Sequence, residues 1–97
     1  MADIPEKYLS IVKEILSRFV PDCEVRVFGS RVQGKARQYS DLDLAIVGSS
    51  KLPDALIYDM KEAFAESDLP WRVDVLDWWA ITAEFREVIE RKGFEVL

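Results

Sequence analysis

Apolar side chains recur at helical spacing in some stretches of the chain and at every second position in others. Tyr8, Leu9, Ile11, Val12, Ile15, Leu16 and Phe19 hold the helical period, which predicts an amphipathic helix from Glu6 to about Phe19. Pro5 suits its first turn and Pro21 stops it. Glu24-Val25-Arg26-Val27-Phe28 alternates and is β-branched, so it reads as a strand ended by Gly29-Ser30. Ser30 to about Arg37 reads as a short helix or a structured loop, with Gly34 as a break. Leu42 to Val47 is the clearest strand, closed by Gly48-Ser49-Ser50. Pro53-Asp54 opens a second helix running to about Ser67, with Leu56, Ile57, Met60, Ala63 and Phe64 on one face. Trp71 to Leu76 predicts a third strand. A third helix is expected from about Trp79 to Lys92, with Ile81, Phe85, Val88 and Ile89 inward and Gly93 as its stop. Phe94 to Leu97 adds a short strand or packs as a tail.

This order implies a small mixed α/β (α+β) protein, its helices packed on one face of the sheet and the other face open. Ninety-seven residues suit one domain, 1–97, with one core. Apolar residues are 49% and charged residues 32%, with no run long enough to span a bilayer. The charged N-terminus shows no signal peptide, and a lone Cys23 fits a reducing cytoplasm. The chain has no histidine, which excludes Ser-His-Asp and Cys-His catalysis and zinc sites built on imidazole. A net charge of −5 argues against broad binding to nucleic acid, which needs excess Lys and Arg.

The candidate chemistry is therefore carboxylate chemistry. Asp41 and Asp43, two apart on an extended chain, point to one face with α-carbons about 6.6 Å apart. Asp74, in the third strand, can stand beside them if the second and third strands are neighbours. Such a cluster raises its own pKa values unless a cation is present, and all-oxygen ligation selects Mg²⁺ or Mn²⁺. Taken alone, Asp41 could be a turn residue and Asp74 a solvated one. The dozen-residue connection before Asp41 changes the weighing. Gly29 lets backbone approach an anion, Ser30 can cradle phosphate, and Arg31, Lys35 and Arg37 offer charge-assisted bonds to phosphate oxygens. One connection thus supplies phosphate binders and the next strand supplies metal ligands, as a metal–triphosphate requires.

Gly29-Ser30, ten residues, then Asp41-Leu42-Asp43 resembles the signature of the DNA polymerase β-like nucleotidyltransferase superfamily. The short chain resembles its minimal branch, the MNT proteins that pair with HEPN partners as antitoxin and toxin. The resemblance implies transfer of a nucleoside monophosphate, most often AMP from ATP, to a hydroxyl. Gly29, Ser30, Arg31, Arg37 and Ser40 would bind the nucleotide. Asp41, Asp43 and Asp74 would be the catalytic carboxylates and ligate two Mg²⁺ ions, Asp74 also helping to deprotonate the acceptor. Many minimal members read Gly-Ser-Arg-Ala-Arg-Gly, whereas Val32 and Gln33 here remove one cation. The acceptor implied is a tyrosine of a HEPN toxin. The alternative is a catalytically weak subunit that neutralises such a partner by contact, and the assembly would be a homodimer or hetero-oligomer. Trp71, Trp78 and Trp79 are read as core or partner anchors, one of the last two facing outward. Glu84, Glu87 and Glu90 read as a solvated helix face.

Overall fold

The computed structural model describes residues 2–37 and 39–97; Met1 and Gln38, which belong to the N-terminal reading and the signature above, lie outside them. Among these residues three helices and four strands follow in the order α1 (Glu6–Phe19), β1 (Glu24–Phe28), β2 (Leu42–Val47), α2 (Asp54–Ala65), β3 (Val73–Asp77), α3 (Ala83–Lys92) and β4 (Glu95–Val96). The strands are ordered β3-β2-β1-β4 in one sheet. β1 is antiparallel to β2 and β4, while β2 and β3 run parallel, joined through α2.

Period-two patterning sorts the strands. Val25, Val27, Leu42, Leu44, Ile46 and Val75 point to one face and pack against Val12, Ile15 and Leu16 of α1 and Met60 and Phe64 of α2. Full burial of Leu42, Leu44 and Ile46 pins the register, because a one-residue slip would turn all three outward. The expected one-sided helix layer holds for α1 and α2. Helix α3 differs: its Ile89 packs with Trp78 and Ala45 on the opposite face, joined by Phe28, Val47, Ile81 and Phe94. The reason is compositional. Ala45 is small and Val47 apolar, so that face carries its own apolar end for α3 to cover, while the Asp43–Asp74 end stays clear of it.

Several boundaries also shift. Helix α2 stops at Ala65, β3 spans Val73–Asp77, and α3 starts at Ala83, where the Thr82 hydroxyl accepts from the Phe85 N–H at 3.1 Å. Trp78 and Trp79 therefore sit in a turn after β3 rather than on a helix. Trp71 and Trp78 are buried, and Trp79 is 45% exposed, its indole N–H donating to the Gly48 carbonyl at 2.7 Å. Glu84, Glu87 and Glu90 face solvent as expected. Cys23 is half-buried and its thiol is pushed up, chiefly by burial and then by Asp22 and Asp77, which makes it a poor nucleophile. Among the described residues no helix is long and apolar enough to cross a membrane.

Asp77, buried at the end of β3, is a carboxylate with a structural task. Its two oxygens accept from the N–H groups of Leu52 at 2.8 Å and Trp79 at 3.1 Å, tying the entry to α2 to the turn before α3. Asp77→Ala is expected to lower stability by about 2 kcal/mol, because two part-buried N–H donors lose a charged, buried acceptor. Urea unfolding checks this; a midpoint unchanged from the parent would remove the assignment.

Candidate active site

The register builds the site. Phe28 of β1 pairs with Asp43 of β2, and Asp43 pairs with Asp74 of β3. Directly paired residues share a face, so Phe28, Asp43 and Asp74 form one row across three strands, with neighbouring strands about 4.8 Å apart. This is the face away from α1 and α2. Asp41 lies one residue before β2, exposed, on the run-in to the same row.

The row is electrostatically unbalanced. Burial, then Asp74, then Asp41 push the Asp43 carboxyl up to about 6, and Arg72 only partly offsets them. Arg72 was not singled out from the sequence, although it stands two residues before Asp74 and so on its side of the strand. Its guanidinium meets Asp74 at 3.1 Å. A lysine and this arginine border a cleft of about 400 Å³ beside Asp74, with Phe64 and Leu69 as its apolar wall and Lys61 as the second cation.

Gly29 closes the other side. Its φ of +81° lies where side chains are disfavoured, and a Cβ there would run into the Asp43 carboxylate. The backbone after β1 therefore lies against Asp43. From Gly29 the chain folds into successive turns: the Gly29 carbonyl accepts from Val32 and Gln33 N–H at 3.0 and 3.1 Å, and the Ser30 carbonyl from Lys35 N–H at 3.1 Å. The segment 30–37 is thus a structured loop and not a helix.

Arg31, expected on phosphate, has another task here. Only 3% exposed, it lies 4.2 Å from the centre of the Trp71 ring. Its Nε and Nη2 donate to the Ser40 carbonyl at 3.0 and 2.8 Å, and its Nη1 donates to the Asp3 carbonyl at 2.7 Å. The Asp3 N–H returns a bond to the Arg31 carbonyl at 2.7 Å. Arg31 thereby fastens both ends of the connection to the N-terminal segment. Ser40, also expected on nucleotide, uses its hydroxyl to accept from the Arg37 N–H at 2.8 Å. The Arg37 side chain is exposed and borders a cleft of about 330 Å³ with Tyr39 and Asp3. Arg31→Lys is expected to cost about 2 kcal/mol, since one ammonium cannot reproduce the fork on two carbonyls. Faster proteolytic cutting within residues 30–40 reports it; unchanged cutting and melting would show the clamp to be dispensable.

Among the described residues no three His, Cys, Asp or Glu side chains are gathered closely enough to hold a metal ion. The donor set nevertheless suits a hard divalent cation: three carboxylates, all oxygen, with a surplus of negative charge that raises Asp43.

A mixed sheet that ranks carboxylates beside a glycine turn is a scaffold for chemistry at phosphorus. The chain belongs to the nucleotidyltransferase domain family, whose model matches residues 9–95. It is 58% identical over 96 residues, 98% of this chain and 82% of the relative, to a Haemophilus influenzae protein named "Probable protein adenylyltransferase MntA". Its fold matches a crystal structure of a toxin–antitoxin with AMP-PNP at a TM-score of 0.74, with 20% identity over 90% of this chain and 69% of that one. A mutant of the toxin–antitoxin MntA-HpeT matches at 0.73, with 22% identity over 97% and 72%.

Proposed function

We propose that the chain transfers AMP from ATP to a hydroxyl of a partner toxin and so acts as the antitoxin. The observation that carries this reading is the row in which Asp43 stands between Asp74 and the backbone of Gly29. Kinship with a relative named a protein adenylyltransferase supports the adenylyl donor and the protein acceptor. In this reading Gly29 and Ser30 hold the β- and γ-phosphates, and Arg37 lies at the phosphate end. Arg31 and Ser40 act on the nucleotide by keeping that loop in shape. Asp41, Asp43 and Asp74 would hold Mg²⁺, which supplies charge neutralisation at the α-phosphate when bound. Asp74, at the far end of the row, accepts the proton of the attacking hydroxyl. The new bond joins that oxygen to the α-phosphorus, the bond from the α-phosphorus to the bridging oxygen breaks, and pyrophosphate leaves. The Arg72–Asp74 pair is largely exposed, and such pairs are worth about 0–1 kcal/mol, so it is a weak competitor for a divalent cation. The acceptor implied by the family resemblance is a tyrosine of a HEPN toxin.

The test is label transfer to the co-purified toxin. Label on the α-phosphate should move to the toxin hydroxyl and label on the γ-phosphate should not. Transfer of the γ label, or of neither, would defeat the reading. A second reading has one observation in its favour: Asp74 is already held by Arg72 at 3.1 Å. It makes the chain a subunit that neutralises its partner by contact. An Asp41→Ala/Asp43→Ala variant that still protects cells from the toxin would favour it.

A further inference from the structure

We infer that the cleft between α2 and β3 beside Asp74 receives the segment that carries the acceptor hydroxyl, and that Lys61 and Arg72 hold an acidic side chain of that segment. The inference rests on the proposed nucleotidyl transfer and adds its acceptor subsite. In an in-line displacement the attacking oxygen stands opposite the leaving group. With the β- and γ-phosphates at Gly29, pyrophosphate leaves on the β1 side of Asp43, and the acceptor enters from the β3 side. Among the described residues β3 is an edge strand whose one neighbour is β2. Beyond Asp74 the row therefore ends in the cleft, and Asp74 is itself part of its wall. The cleft holds about 400 Å³, at the lower end of the range of about 300–1,000 Å³ for small-ligand sites. It admits a side chain with its neighbours and not a folded domain.

The lining selects the occupant. Phe64, Leu69 and Trp71 give an apolar wall for the body of a side chain, and Lys61 and Arg72 set two cations against the single carboxylate of Asp74. That sign runs against the chain as a whole, whose net charge is −5. Helix α2 sorts its charges accordingly: Asp59 and Glu62 turn to the cleft it forms with α1, while Lys61 turns to this one. Arg72 meets Asp74 through Nη2, and its side chain is 74% exposed. A guanidinium carries five N–H donors, so the others can bind a second anion. Lys61 is exposed and forms no salt bridge among the described residues. The triphosphate is already placed at Gly29, so the anion that these two cations await belongs to the acceptor.

The experiment is steady-state transfer of α-phosphate label to the co-purified toxin, with calorimetric titration of AMP-PNP and Mg²⁺ beside it. Lys61→Glu sets a like charge against the acceptor's acid and should raise KM for the toxin on the order of tenfold. The kcat, the KM for ATP and the affinity for AMP-PNP should stay within about twofold, because the lost contact is with the partner alone. Lys61→Arg should behave as the parent. Lys13→Glu, the same change of net charge at an exposed position of α1, should leave KM for the toxin unchanged. Mapping the labelled hydroxyl should find an Asp or Glu beside it, and changing that acid to lysine should restore transfer by Lys61→Glu. An equal effect at Lys13 would reduce the result to net charge and overturn the subsite. A rise in KM for ATP, no acid beside the labelled hydroxyl, or failure of the charge exchange would overturn it as well. If the parent moves no α label to the toxin, the transfer reading falls and the subsite with it. If the parent transfers and Lys61→Glu keeps the parent's KM for the toxin, only the subsite falls.

Discussion

Asp43→Asn is expected to abolish transfer while making the metal-free protein more stable at neutral pH. Loss of activity follows from its place in the row, between Asp74 and the Gly29 turn. In the proposed function Asp43 ligates the cation at the reacting phosphorus, and such a residue is expected to carry a factor on the order of 10³ or more. The stability gain follows from the raised pKa. In the fold the Asp43 carboxyl titrates at about 6 against an ordinary 3.8, so the fold favours its protonated form. The charged form then costs stability. That cost is absent below the unfolded value, grows as pH rises from the unfolded value to the folded one, and is complete above it. The full shift corresponds to about 3 kcal/mol, and solvent screening of a half-buried group reduces it to about 1 kcal/mol. Melting curves in a chelator should place the asparagine variant above the parent at pH 7.5, with the two converging near pH 4. Mg²⁺ should raise the parent's melting temperature and leave the variant's nearly unchanged. A variant that melts lower at pH 7.5 would show that Asp43 is a structural acceptor rather than a frustrated ligand.

Gly29→Ala is expected to damage both stability and transfer, and Gly34→Ala to damage only the first. Both glycines have positive φ, +81° and +71°, so any side chain costs on the order of 1 kcal/mol in backbone strain. Their surroundings separate them. Among the described residues a Cβ at Gly34 meets nothing within 4 Å, whereas one at Gly29 meets the Asp43 carboxylate. The chain can relieve that contact only by moving the turn or turning Asp43 away, and either displaces a group proposed to position the triphosphate. A shift of about 1 Å at such a site costs on the order of 10²-fold in rate. The Gly29 variant should therefore lose transfer by about that factor, and the Gly34 variant should retain it within a few-fold. Equal activities in the two would mean that the close approach of Gly29 to Asp43 does not matter to catalysis.

Much of this was legible in the amino-acid order. Alternation in Glu24–Phe28 and Leu42–Val47, and the helical period in Glu6–Phe19, are local properties, and the elements formed there match. The Gly29-Ser30 and Asp41-x-Asp43 spacing is also local, so the candidate site could be named from it. Arg31 shows where such reading stops. By type and position it looks like a phosphate binder, yet its donors are spent on the Ser40 and Asp3 carbonyls, the latter 28 residues away in the chain. No local pattern announces a partner at that separation.

The chain's own order determined the elements, the absence of imidazole chemistry and the set of acidic and glycine residues available. Only the tertiary structure decided that β3 lies beside β2 in register, so that Asp43 and Asp74 become neighbours and raise the charge cost at the first. It also decided that α3 crosses to the site face, which brings Phe85 onto Phe28. Strand pairing and helix docking depend on which buried surfaces complement each other across the whole fold, and a pattern read along a single chain carries no measure of that complementarity.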